Sequence, residues 1–253
     1  MPTLIVNGEP LFYAVHPARD PDPQPVILLH GAGANHLAWP ADLRRQPGAT
    51  VYALDLPGHG RSGGHGRNTV EAYADAVHAW REAAGLGPAV WIGHSLGAAI
   101  ALDLALRHPE GGRKLVLIGA AARFALPPAV LRDLTANPAR AVDALVELAA
   151  GPDAPPVLVE ATRRMMRELP PDVLRGDFEA AAAFDAHARL GEVRAPTLVI
   201  TAQDDRLTPP DDARQLVRGI SGAKLLSLPH GGHLAAALAP AALRNAILDF
   251  TKA

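Results

Sequence analysis

The stretch Val90-Trp91-Ile92-Gly93-His94-Ser95-Leu96-Gly97-Ala98-Ala99, VWIGHSLGAA, sets one serine between two glycines. An apolar run, AVWIG (89–93), leads into it and a helical pattern, AAIALDLALRH (98–108), leads out. A serine at such a junction commonly caps a helix, its hydroxyl accepting an orphan amide of the first turn. It becomes a nucleophile when the backbone turns sharply enough to raise the hydroxyl above the sheet edge. Gly93 and Gly97, two residues to either side, remove the side chains that a sharp turn would crowd. That is the G-x-S-x-G nucleophile elbow, which holds its serine in a strained conformation. The helix N-terminus behind it lends partial positive charge to a developing oxyanion. The pattern alone is short enough to arise by chance; set between a buried strand and a helix, it predicts that Ser95 attacks.

Similar apolar runs recur on both sides of this stretch. They are VILLH (26–30), TVYALDL (50–56), KLVLIG (114–119), TLVIT (197–201) and AKLLSL (223–228), separated by amphipathic stretches such as TVEAYADAVHAWREAAG (69–85). Strands that are continuously apolar are buried on both faces, and helical crossovers make neighbouring strands parallel. The chain therefore reads as an α/β protein with a doubly wound, mostly parallel sheet. A hairpin, Thr3–Val6 and Leu11–Val15 around Asn7-Gly8, precedes it, followed by a proline-rich linker at Asp20-Pro21-Asp22-Pro23-Gln24-Pro25.

The alternation breaks between 121 and 190, where only proline-punctuated helical stretches occur: PPAVLRDLT, PARAVDALVELAA, PPVLVEATRRMMREL and PPDVLRGDFEAAAAFDAHARL. Prolines fall where first helical turns would begin, as that position tolerates them. A helical insertion between two sheet strands is expected to fold as a cap over the carboxyl edge, where open α/β sheets bind ligands. The expected division is thus a core of 1–120 and 191–253 and a cap of 121–190. Met165-Met166, Phe124, Phe178 and Phe184 suit either the buried side of that cap or an adaptable apolar pocket.

A serine nucleophile needs a base, and the base an orienting acid. After TLVIT come Asp204 and Asp205; after the next run come His230 and His233. An acid and a histidine at the ends of successive strands can converge on Ser95. The oxyanion donors expected are the amide of Leu96 and one from the turn His30-Gly31-Ala32-Gly33, with Ala32 first and Gly33 next. That glycine-rich turn lacks both G-x-G-x-x-G and a Gly-Lys-Ser/Thr, so a nucleotide site is not expected. His30, His36, His59, His65 and His94 show neither H-x-H-x-D nor H-E-x-x-H spacing, and no metal or other cofactor is expected.

With LLHGAG, DLPGHGRS (55–62), GHSLGAA, LGEVRAPTLVITAQDD and PHGGHL in place, the sequence resembles the α/β-hydrolase superfamily nearly end to end. Within it, the sequence looks like the group of small bacterial esterases, lactonases and cofactor-free haloperoxidase-like enzymes. The resemblance implies Asp205 as the acid, because the family places it four residues before a proline, here Pro209. Ala202 stands where the family has a glycine. It likewise implies His233 over His230, because the histidine follows small residues, and it gives DLPGHGRS a role at the site entrance without chemistry.

The remaining sequence features set limits. A formal charge of −2 offers no long-range attraction to nucleic acid or anionic membrane, so neither partner is expected. The apolar share of 49% fits a soluble protein with a large core. Cysteine is absent, which removes disulfides and thiol catalysis. No signal peptide or membrane span is expected, and the expected setting is the cytoplasm. Abundant Ala, Pro and Arg fit both a thermophile and a GC-rich genome. The function expected is a serine hydrolase of a small carboxylic ester or lactone. A C–C bond hydrolase or thioesterase would use the same three residues, as would a lyase or perhydrolase. A small-molecule receptor of the same fold is the rival from another class. An aspartate nucleophile is contradicted by the serine at 95.

Overall fold

The computed structural model describes residues 2–19, 24–238 and 240–252. The Asp20–Pro23 part of the expected linker lies outside the described residues. Among the described residues eight strands form one sheet: β1 (Thr3–Val6), β2 (Glu9–His16), β3 (Gln24–Leu29), β4 (Ala49–Leu54), β5 (Ala89–His94), β6 (Gly112–Ile118), β7 (Thr197–Ala202) and β8 (Lys224–Leu228). Their order across the sheet is β1-β2-β4-β3-β5-β6-β7-β8. The β1–β2 hairpin turns at Asn7 and Gly8, both at positive φ, and β2 joins β4 antiparallel; β3 to β8 run parallel.

The continuously apolar runs feed two cores at once, because alternate side chains leave a strand on opposite faces. Ile27, Leu29, Trp91, Leu115 and Leu117 join one buried cluster; Val26, Leu28, Ile92, Val116 and Ile118 join the other. The first is covered by α2 (Val70–Ala83), α3 (Leu96–Arg107) and, further along, α8 (Pro210–Gly219). The second is covered by α1 (Ala41–Arg44), α9 (Ala235–Leu238) and α10 (Pro240–Lys252). Thr69 caps α2, its hydroxyl accepting the Ala72 amide. No helix among the described residues is long and apolar enough to cross a membrane.

The chain passes from β3 to β4 in one direction and then crosses back to β5, so the sheet's switch point lies beside β3, where such folds place their ligands. Between β6 and β7 the chain leaves the sheet to form α4 (Pro128–Ala136), α5 (Pro138–Ala149), α6 (Pro156–Glu168) and α7 (Pro171–Ala183). All four begin on a proline, whose fixed φ suits a first turn and whose missing N–H costs nothing there. Their buried faces form a separate cluster that includes Leu134, Leu145, Met166, Leu174 and Phe178, with Ala32 and Leu207 of the sheet edge packed against it.

Candidate active site

Ser95 follows β5 directly and has φ 54° and ψ −119°, a conformation that side-chain-bearing residues rarely adopt. The turn is held on both sides. The Ser95 amide donates to the Ile118 carbonyl at 2.9 Å, and the Ser95 carbonyl accepts from Ala98 and Ala99. A Cβ on Gly93 would fall into the Gly97 carbonyl, and one on Gly97 into the carbonyls of Leu29 and His30. Both glycines are therefore required by contact with backbone, which cannot move aside. The residue sits at the N-cap position of α3, yet its hydroxyl makes no capping bond. Position suggested two uses for this hydroxyl, and the geometry leaves it out of the capping role.

His233 lies on a short turn after β8, between Gly232 and Leu234. Its Nδ1 is 2.9 Å from Asp205 Oδ2. The Asp205 carboxylate also accepts the Thr208 hydroxyl at 2.8 Å on Oδ2 and the amides of Leu207 and Thr208 at 2.9 Å on Oδ1. Burial pushes the Asp205 pKa up, but the facing His233 and the Thr208 donors outweigh it and hold the carboxyl below its ordinary value. An ionised Asp205 requires the proton on Nδ1, which leaves His233 Nε2 as the basic nitrogen. That Nε2 is buried and has no hydrogen-bond partner among the described residues. Ser95 and His233 line the same cavity.

Asp204, one residue earlier, faces elsewhere. Its carboxylate accepts the amides of Gly232 at 2.9 Å and Gly231 at 3.3 Å, bracing the turn that carries His233. The neighbouring aspartates thus have different partners: Asp205 meets the ring, and Asp204 meets the backbone beneath it. His230 is exposed.

Three residues in the site's support were not singled out from sequence. Thr208 was hidden because a threonine ahead of a Pro-Pro helix start looks like ordinary loop chemistry. His94, weighed only as a metal ligand, places Nε2 2.8 Å from the His233 carbonyl and must donate to it. Burial and the neighbouring His233 push the His94 pKa down to about 4, so the ring is neutral. Asp177, from α7, has a fully buried carboxylate that accepts the Gly33 amide at 2.8 Å. Of the two expected donors from that turn, the Gly33 N–H is committed to Asp177, which leaves Ala32 as the candidate. Asp177 shares α7 with Asp172 and Glu179, and nothing in their spacing marks it out.

The cavity beside Ser95 has a volume of about 380 Å3. Its walls include Leu145, Leu158, Met165, Met166, Phe178 and Leu207, and among the described residues no Lys, Arg, Asp or Glu side chain lines it. Phe124 and Phe184 lie instead in the main core. Among the described residues, no group of His, Asp and Glu side chains could hold a metal ion.

The family model described as the alpha/beta hydrolase family matches residues 26–246. The RutD protein of Variovorax paradoxus, whose name assigns it carbamate hydrolysis, is 32% identical over 95% of this chain and 96% of its own. The pimeloyl-[acyl-carrier protein] methyl ester esterase of Neisseria meningitidis is 32% identical over 82% of this chain and 70% of its own. The enol-lactonase of Burkholderia xenovorans superposes over all of both chains with a TM-score of 0.90 at 22% identity, a likeness of fold. The strained serine, the sheet order and these relatives agree: the chain belongs to the alpha/beta hydrolase family.

Proposed function

We propose that this hydrolase cleaves small, uncharged carboxylic esters or lactones through an acyl-enzyme on Ser95. His233 Nε2 takes the Ser95 proton as Oγ attacks the substrate carbonyl carbon, and Asp205 holds the ring's tautomer and stabilises the imidazolium. The amides of Ala32 and Leu96 receive the tetrahedral oxyanion, each contributing on the order of 3 kcal/mol. As the intermediate collapses, His233 gives its proton to the leaving alkoxide. Water, deprotonated by the same nitrogen, then releases the acid. The helices α4 to α7 act as the cap over this site.

The observation that carries the reading is the pairing of a strained, uncapped Ser95 hydroxyl with a His233 Nε2 that has no partner among the described residues, both on one cavity. The apolar wall supports an uncharged ester or lactone over a substrate that carries a carboxylate into the pocket. A buried charge without a counter-ion costs several kcal/mol, and among the described residues no Lys or Arg lines the pocket. A cavity of about 380 Å3 fits a substrate at the small end of ligand sites.

The test is a chain-length series of p-nitrophenyl esters with Ser95→Ala alongside. Hydrolysis is expected to peak at a short or medium acyl chain and to vanish in the variant. An ω-carboxylated ester of matched length is expected to react at least about a hundredfold more slowly, since its charge would be stranded in the pocket. A Ser95→Ala enzyme with the parent rate would overturn the mechanism.

A further inference from the structure

We infer that Asp177 is a positioning residue, reaching from the helical insertion to fix the backbone turn that aims the Ala32 amide at the oxyanion; this rests on the ester-hydrolase reading above. Two consecutive peptide planes define where that amide points. In the Gly31–Ala32 plane the carbonyl is held by two donors, His30 Nδ1 at 2.9 Å and the Ala34 amide at 3.2 Å. The His30 proton sits on Nδ1, because Nε2 accepts the Leu56 amide at 3.1 Å. In a planar trans peptide the N–H points opposite the C=O, so anchoring that carbonyl sets the Ala32 N–H. In the next plane the Gly33 N–H donates to Asp177 Oδ2. With both flanking planes anchored, the two soft dihedrals of Ala32 are pinned.

The clamp is built from three parts of the fold. Asp177 Oδ1 accepts the Tyr73 hydroxyl at 2.5 Å, and Oδ2 lies 2.9 Å from His59 Nε2. His59 Nδ1 is 3.0 Å from the Pro57 carbonyl. Both ring nitrogens of His59 thus face acceptors, so both carry protons and the ring is a cation paired with Asp177. Burial lowers the His59 pKa, but the charge and hydrogen bond of Asp177 outweigh it and raise it. This gives the Gly-rich loop DLPGHGRS a purpose that its sequence concealed: it presents a buried cation to the insertion. Gly33 itself, at φ 68°, is overlaid by that insertion. A Cβ there would stand 2.8 Å from Met166 and 2.9 Å from Leu174. Helices α6 and α7 therefore sit on the oxyanion turn as well as above the pocket.

The test is Asp177→Asn, which keeps the shape and removes the charge. The expected result is a fall in kcat for a p-nitrophenyl ester of about tenfold to a hundredfold with KM nearly unchanged. Affinity for a trifluoromethyl ketone of the same acyl length is expected to fall by the same factor. That ketone accepts the Ser95 oxygen at its carbonyl carbon, the serine proton passes to His233, and its oxyanion reads the turn directly. Affinity for the corresponding alcohol, which presents no oxyanion, should hold. A purely structural Asp177 would lower the unfolding temperature and leave kcat and ketone affinity intact, and that result overturns the proposal. Should Asp177→Asn not fold, His59→Gln takes its place: removing the cation strands the carboxylate, weakens its hold on Gly33 and should give the same paired loss. A folded His59→Gln with full kcat overturns it as well. Ser95→Ala separates this from the underlying reading. An unchanged rate there removes the ester-hydrolase mechanism itself, whereas normal dependence on Ser95 with full kcat in Asp177→Asn removes only the positioning role.

Discussion

His233 Nδ1 and Asp205 Oδ2 stand 2.9 Å apart, and the same carboxylate oxygen also takes the Thr208 hydroxyl. Asp205 is therefore saturated by donors and cannot easily accept the proton itself. It fixes the ring and leaves Nε2 to work. The neighbouring Asp204 is spent on the amides of Gly231 and Gly232.

From this arrangement Asp205→Asn is expected to lower kcat by about 10³- to 10⁴-fold, because an amide can hold the ring in the wrong tautomer. Asp204→Asn retains an oxygen for one glycine amide and should cost well under tenfold. Steady-state ester kinetics on the two variants checks this; the opposite ranking would move the acid to Asp204.

Thr208→Val removes one donor to a buried, ionised carboxylate while keeping the side chain's shape. Hydrogen bonds to charged groups contribute about 2 kcal/mol, so unfolding free energy should drop by roughly that amount. Ester hydrolysis should slow several-fold as Asp205 loses a constraint. Urea denaturation paired with kcat measures both, and unchanged stability would show that the 2.8 Å contact carries no energy.

Ser95 at φ 54° occupies backbone space that glycine enters freely. Strain of this kind costs about 1–3 kcal/mol. Ser95→Gly should therefore be inactive yet melt higher than Ser95→Ala, which keeps a Cβ in the same conformation. Equal melting temperatures by calorimetry would mean that the turn stores no strain.

Two buried rings predict acid sensitivity. His30 and His94 both have pKa values pushed from 6.5 to about 4, by burial first and then by a neighbouring histidine. The unfolded chain binds these protons near pH 6.5 while the folded chain refuses them until about pH 4. Their contribution is thus complete above 6.5 and declines as pH falls through that window, by about 2 kcal/mol per ring at pH 5. His59 runs the other way: its raised pKa makes its contribution complete below 6.5 and lost only as pH rises past the folded value. Denaturation at pH 7.5 and pH 5 should show a marked fall, partly flattened in His94→Gln. An identical pH slope in that variant would exclude His94 as a source.

Local sterics account for what was legible in the chain. Runs such as VILLH and KLVLIG become central strands because alternate positions feed two cores. Pro128, Pro138, Pro156 and Pro171 start helices because a fixed φ suits a first turn. Gly93 and Gly97 announce a sharp turn because any Cβ there meets backbone. These are short-range facts, decided within a few residues, and they suffice to mark Ser95. Long-range partnership is another matter. Asp204 and Asp205 are adjacent and chemically identical, and only the approach of the turn carrying His233 gives one the ring and the other the glycine amides. The Gly33 amide looked free for an oxyanion until Asp177, 144 residues away, was folded onto it. Whether the pocket carries charge depends on which faces of α5, α6 and α7 turn inward, and sequence spacing leaves that open. The sheet and the strained serine follow from the chain alone, because backbone geometry obeys nearby side chains. Tertiary structure decided which groups face that serine, because hydrogen-bond partners are set only when distant segments meet.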